Sequence, residues 1–194
     1  MSRKFTIRAG FIAGLAAILF AAQSSAAEMR FLEVQRDDDL YRLKSITWFD
    51  ARAEALYDVL RNYELFSKFT SAVVESKNLE PDAEGRPQYF TRMEGCVLLW
   101  CRSFNRIGYL VLQPSTEIVA HADPERSDFK KSRERWQLIP EGDGTVLVYE
   151  FEMVPDFWVP PVLGPYYIKR ALRSGGERAI GRIEALARGE EPAP

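Results

Sequence analysis

The sequence predicts an α+β domain in which a curved antiparallel sheet wraps around one long C-terminal helix. Three observations carry this prediction. Short helical patterns stand near residue 50, a series of alternating segments separated by turn residues follows, and an amphipathic pattern over about 165–188 closes the chain. A long amphipathic helix after a meander buries its apolar stripe against the face of the sheet, which must curve to receive it.

The elements follow in order. Residues 41–49 alternate loosely and read as a first strand, and Asp50 stands where an N-cap is expected. Ala53, Leu56, Tyr57, Leu60 and Tyr63 then recur at helical spacing, and a second short helical piece over 63–69 carries Leu65, Phe66 and Phe69. Strands are predicted near 72–80, 88–96, 101–112, 116–122, 129–139 and 145–154. Their connections, 81–87, 113–115, 123–127 and 141–144, are rich in Pro, Gly, Asp and Ser. The last strand alternates most cleanly, with Leu147, Tyr149, Phe151 and Met153 on one face and Glu150 and Glu152 on the other. In the closing helix Pro165 suits the first turn, and Ile168, Leu172, Gly176, Ala179, Ile180, Ile183 and Leu186 mark the inner stripe. Gly175 and Gly176 each cost about 1 kcal/mol against alanine in mid-helix, which points to close approach, free space or a kink there.

The N-terminus reads as an address. Arg3, Lys4 and Arg8 precede a 12-residue apolar run, Phe11–Ala22, and small residues follow it. This is the layout of a cleaved secretory signal over 1–27, with Ser25 and Ala27 at the small-residue positions and the cut before Glu28. A membrane anchor is the alternative, but it needs roughly 20 apolar residues. The expected compartment is the periplasm. Residues 28–39 are read as an N-terminal extension, 40–188 as one ligand-binding domain and 189–194 as a disordered tail. Of 26 basic and 28 acidic residues the signal removes three basic ones, which leaves 23 against 28. A mildly acidic chain with scattered charges argues against nucleic acid as a partner.

Phe49-Asp50-Ala51 leading into Leu56-Tyr57-Asp58-Val59-Leu60, followed by Tyr63-Glu64-Leu65-Phe66, resembles a known pattern. Arg135-Trp136-Gln137-Leu138-Ile139-Pro140, and Gly144-Thr145 opening Val148-Tyr149-Glu150-Phe151-Glu152, continue the likeness. The chain resembles the START-like superfamily of polyketide cyclases, dehydrases and lipid carriers, in its coenzyme Q-binding and polyketide-cyclase branch. The resemblance implies a helix-grip fold enclosing an apolar cavity between sheet and helix. It also implies a hydrophobic small molecule or lipid as the partner.

The inventory for catalysis is thin. His121 is the one histidine, too few for a serine triad or a histidine metal cluster. There is no phosphate-binding glycine loop and no dinucleotide fingerprint, so neither a cofactor nor a metal is expected. Glu94 and Glu134, in predicted strands, are the carboxylates that could act inside a cavity if buried and unpaired. Cys96 and Cys101, the two cysteines, flank a four-residue turn and are expected to form a disulfide across it. That turn, Val97-Leu98-Leu99-Trp100, is apolar where turns are usually polar, and so is the connection 157–163.

Alternation of turns along a meander puts both apolar connections, and the polar turn 123–127, at one pole. The expected cavity and mouth residues are Tyr89, Met93, Trp136, Tyr149, Phe151, Trp158 and Tyr166, which could equally fill a solid core. Residues 97–100 and 157–163 would touch a membrane surface or gate entry. Three readings stay open: a periplasmic binder or carrier of a lipid or isoprenoid, a cyclase-type enzyme on a polyketide-like substrate, and a ligandless interaction domain.

Overall fold

The computed structural model describes residues 27–97, 100–161 and 163–192. The predicted signal, save Ala27, and the turn residues 98–99 lie outside the described residues. Among those described, the chain forms eight strands: β1 (Glu28–Asp37), β2 (Leu40–Phe49), β3 (Val73–Leu79), β4 (Gln88–Val97), β5 (Trp100–Gln113), β6 (Glu117–Ala122), β7 (Phe129–Glu141) and β8 (Gly144–Pro155). Three helices join them: α1 (Ala53–Arg61), α2 (Phe66–Phe69) and α3 (Leu163–Ala187), with a 3-10 turn at Tyr63–Leu65. The strands make one antiparallel sheet in the order β1-β2-β8-β7-β6-β5-β4-β3. This is the predicted helix-grip arrangement, with α3 packed against β1, β2, α1 and α2.

Period-2 alternation decides what the concave face holds. Tyr41, Leu43, Ser45, Thr47 and Phe49 of β2 are buried in turn. On β8 Leu147, Phe151 and Met153 point inward, while Glu150 and Glu152 face out and pair with Lys44, Arg135, Arg42 and Lys131. The buried apolar side chains fall into two clusters. One gathers Phe49, Leu56, Leu60, Tyr63, Trp136, Leu138 and Ile183 under α1 and the end of α3. The other gathers Val34, Tyr41, Leu43, Phe129, Phe151 and Met153 under the start of α3.

Three expectations change. Residues 28–39 are no loose extension, because 28–37 form edge strand β1, joined to β2 by a two-residue turn with Asp38 at φ 49. The polar composition of β1 hid it, as an edge strand buries little and only Val34 is buried. Asp50 does not cap α1. The N-cap position falls on Arg52, whose extended backbone carries no side-chain cap, and Asp50 bonds to the end of α3 instead. The turn 123–127 does not reach the apolar pole. Strand β6 is short, so the turn stops level with residues 105–107 of β5, where Arg126 donates to Gln88 Oε1 at 2.8 Å. Of the three readings of the glycine pair, free space is the one that fits: α3 is continuous through it, a Cβ on Gly175 would meet nothing within 4 Å, and one on Gly176 only Leu32 Cδ1 at 4.0 Å. The helix ends where Gly189, at φ 76, lets Glu190 N–H bond the Ala185 carbonyl at 2.8 Å.

Candidate ligand cavity

Between the starts of α3 and the far ends of β4, β5, β7 and β8 lies a cavity of about 500 Å³. Its walls are almost wholly apolar: Met93, Phe104, Phe129, Phe151 and Met153 from the sheet, and Tyr167, Ile168, Ala171 and Leu172 from α3. At its mouth the β4–β5 hairpin meets the connection after β8. Cys96 and Cys101 are directly opposed across the hairpin, joined as a disulfide with Cα atoms 4.0 Å apart. Phe157 anchors the second loop by stacking on Phe104 at 4.2 Å and meeting Phe129 edge-on. Anchoring Phe157 leaves the next residue, Trp158, on the rim, 73% exposed.

Behind the cavity's inner wall the concave face turns polar. Arg106 and Glu134 form a two-pronged ion pair, Nη1 to Oε1 and Nη2 to Oε2 at 2.9 Å each, with side chains 4% and 9% exposed. Tyr63 donates to Glu134 Oε2 at 3.4 Å and Tyr149 to Oε1 at 3.2 Å, so the carboxylate is saturated. Burial is the largest single influence on the Arg106 pKa and lowers it, but the Glu134 charge, Tyr89, Tyr63 and the hydrogen bonds to Glu134 together outweigh it and hold the guanidinium well above its ordinary value. Burial, reinforced by Glu134, pushes the Tyr63 and Tyr149 phenols well up. Burial also drives Tyr89 up to about 12 against the opposing pull of Arg106. These phenols are donors, not bases. Two buried atoms here have no partner among the described residues: Arg106 Nε and Thr91 Oγ1, on residues directly paired across β4 and β5. Each stands one inward position beyond a wall residue, Arg106 beyond Phe104 and Thr91 beyond Met93, and the guanidinium lies 5.9 Å from the Phe151 ring.

The predicted site residues divide by height along the sheet. Met93, Phe151 and Trp158 line the cavity. Tyr89, Trp136 and Tyr149 share its face but lie deeper, in or against the core, where Trp136 stacks on Tyr149 at 5.4 Å and Tyr63 on Tyr89 at 4.2 Å. Tyr166 points outward, 59% exposed, and its neighbour Tyr167 takes the wall position. Glu94 stands exposed at the mouth, bonded by Ser103, whereas Glu134 is buried and paired. His121 stacks on Tyr109 outside the cavity, and burial, then Arg133 and Arg86, lower its pKa. Arg106 was not foreseen: a cation facing inward breaks the alternation of β5 that would have revealed its face.

A sequence model of the family described as "Polyketide cyclase / dehydrase and lipid transport" matches residues 49–165, more than half the chain. The chain belongs to this family. No curated protein matches it. Among solved structures, it is similar to a START superfamily protein from Mycobacterium smegmatis at 19% identity and TM-score 0.59, covering 76% of this chain and 97% of that one. A STAR-related lipid transfer protein from Xanthomonas axonopodis aligns at 15% identity and TM-score 0.55, over 78% and 98% of the two chains. The Zhui aromatase/cyclase from Streptomyces sp. R1128 aligns at 14% identity and TM-score 0.52, over 77% and 92%. These likenesses show a fold that the polyketide cyclase/dehydrase and lipid transport family shares, with a hydrophobic ligand-binding or cyclase-type domain as its common theme.

Proposed function

We propose that this domain binds and carries a hydrophobic small molecule, a lipid or an isoprenoid such as a quinone, in the periplasm. The apolar cavity of about 500 Å³ carries the reading. It exceeds the roughly 300 Å³ below which a ligandless core would be the better account. Transfer of apolar ligand surface from water to these walls supplies about 25 cal/mol per Å². The unpartnered Arg106 Nε and Thr91 Oγ1 offer one polar terminus a hydrogen-bonding partner behind the inner wall.

Exchange would occur at a membrane surface through the mouth. Trp158, Leu163 and Tyr166 are the exposed apolar groups there, and Lys169, Arg170 and Arg173 follow Tyr166 on the same exposed face of α3. The layout of residues 1–27 supports export. A cyclase reading has one observation in its favour, the buried Arg106–Glu134–tyrosine cluster. The cluster is nevertheless self-satisfied at the carboxylate, and its phenols are poor bases.

The test is native mass spectrometry of the exported protein, with extraction of what co-purifies, beside transfer of a fluorescent lipid between vesicles. A lipid-sized adduct that transfers is the expected result. No adduct, and no binding or transfer with vesicles, would end the carrier reading.

A further inference from the structure

Glu184 takes no part in the cavity, yet its side chain is among the most buried charged groups of the protein, on a residue 5% exposed. It lies twelve residues beyond Leu172, roughly 18 Å further along α3. Its Oε1 accepts the backbone N–H of Asp50 at 3.0 Å, and its Oε2 accepts from the backbone nitrogen of Ala27 at 3.0 Å. Arg188 reaches both acids of this node, with Nη2 2.8 Å from Asp50 Oδ2 and 3.5 Å from Glu184 Oε1. Among the described residues, two carboxylates therefore share one guanidinium. A buried carboxylate short of counter-charge is costly, and a peptide N–H at Ala27 supplies a hydrogen bond without a charge.

The small-residue rule for leader removal accepts two neighbouring cuts in this sequence. A cut after Ala27, with Ser25 two residues before it, deletes the residue that Glu184 holds. A cut after Ala26, with Ser24 two residues before it, satisfies the rule equally well and keeps Ala27. It also converts the Ala27 nitrogen from an amide to an α-ammonium in place.

We propose that the mature chain begins at Ala27, and that Glu184 is the buried receptor for its α-ammonium. The cut breaks the Ala26–Ala27 amide with one water, supplied by a leader peptidase. The water oxygen bonds to the Ala26 carbonyl carbon, giving a carboxylate, and the protons pass to the Ala27 nitrogen. An α-amine with an ordinary pKa near 8 is mostly protonated at neutral pH. The node then holds Asp50 and Glu184 against Arg188 and the N-terminus. Processing thereby ties the start of β1 and the β2–α1 junction to the end of α3, at the pole away from the cavity mouth.

The inference rests on the export reading, and the experiment separates the two. The full chain is produced with its own leader in a bacterium that has a periplasm, and the purified protein is read by intact mass and N-terminal sequencing. A start at Ala27 is expected. A start at Glu28 or beyond leaves export standing and overturns the Glu184 assignment, and a chain retaining residues 1–26 overturns both. Independently, chains released from a cleavable fusion to begin at Ala27, or with one serine ahead of it, are compared with Glu or Gln at position 184. The added serine should lower Tm by about 5 °C with Glu184 and change it little in E184Q. An equal shift in both backgrounds, or none with Glu184, defeats the proposal. Should E184Q not fold, the sequencing result and the serine comparison with Glu184 still decide it.

Discussion

Arg106 and Glu134 face each other on the concave sheet with Tyr63, Tyr89, Tyr149 and Phe151 around them. Such a pair is costly to break, because the charge left behind is buried and alone, whereas replacing both members is much less damaging. Arg106→Met should destabilise the fold by about 3–5 kcal/mol, and Arg106→Met with Glu134→Leu should recover most of that loss. Urea denaturation midpoints at unchanged slope check it. The phenols of the same cluster set a pH limit. Their folded pKa values are raised, to about 12 for Tyr89, above an ordinary value near 10. Below pH 10 the neutral phenols are present in both folded and unfolded chains, so their contribution is complete. Above it the unfolded chain loses the proton first, and stability falls as pH rises through 10 toward 12. Stability that stays flat over that window would contradict the burial of these tyrosines.

At the scale of the element, α3 carries two tasks on one length. Its first half walls the cavity with Tyr167, Ile168, Ala171 and Leu172, and its last turns are tied down through Glu184 and Arg188. Gly175 and Gly176 stand between these halves with no steric reason to be glycine. Gly175→Ala should therefore stabilise the protein by about 1 kcal/mol, seen as a higher Tm. A fall in stability would mean that the helix bends there in the working protein. The strands show how far pattern reading reaches. β8 was legible to within a residue at each end, and its faces could be told apart because Glu150 and Glu152 alternate with Tyr149, Phe151 and Met153. Those of β5 could not, because Arg102, Phe104 and Arg106 share one face and offer no hydropathy contrast with Ser103 and Asn105. β1 escaped because an edge strand needs only one buried residue to hold its place.

At the scale of the whole molecule, Lys169, Arg170 and Arg173 stand exposed on the first turns of α3, whose opposite face walls the cavity, while the full chain carries a net charge of −2. These cations are local, and the proposed exchange at a membrane makes an anionic bilayer the surface to test them on. Trp158 fluorescence should shift to the blue on vesicles containing anionic lipid. Binding should weaken as salt rises, and the triple substitution Lys169→Glu, Arg170→Glu and Arg173→Glu should reduce it at least tenfold. Equal binding to neutral vesicles would leave only the apolar loops as the anchor. The site itself was half legible. The sequence showed which strand positions face inward, so Met93 and Phe151 could be named. It could not show how far along the face each one lies, and Tyr89, Trp136 and Tyr149 proved to be deeper in the fold.

The amino-acid order by itself determined the fold class, the strands of the meander, the long closing helix and the pairing of Cys96 with Cys101. Each of these depends on local periodicity or on residues a few positions apart. Tertiary structure alone decided that Arg106 meets Glu134, that Asp50 serves the end of α3 rather than α1, and that the cavity stops at Met93 and Phe151, with Tyr89, Trp136 and Tyr149 left in or against the core. These depend on residues brought together across the sheet, where burial and charge pairing, not sequence spacing, select the partner.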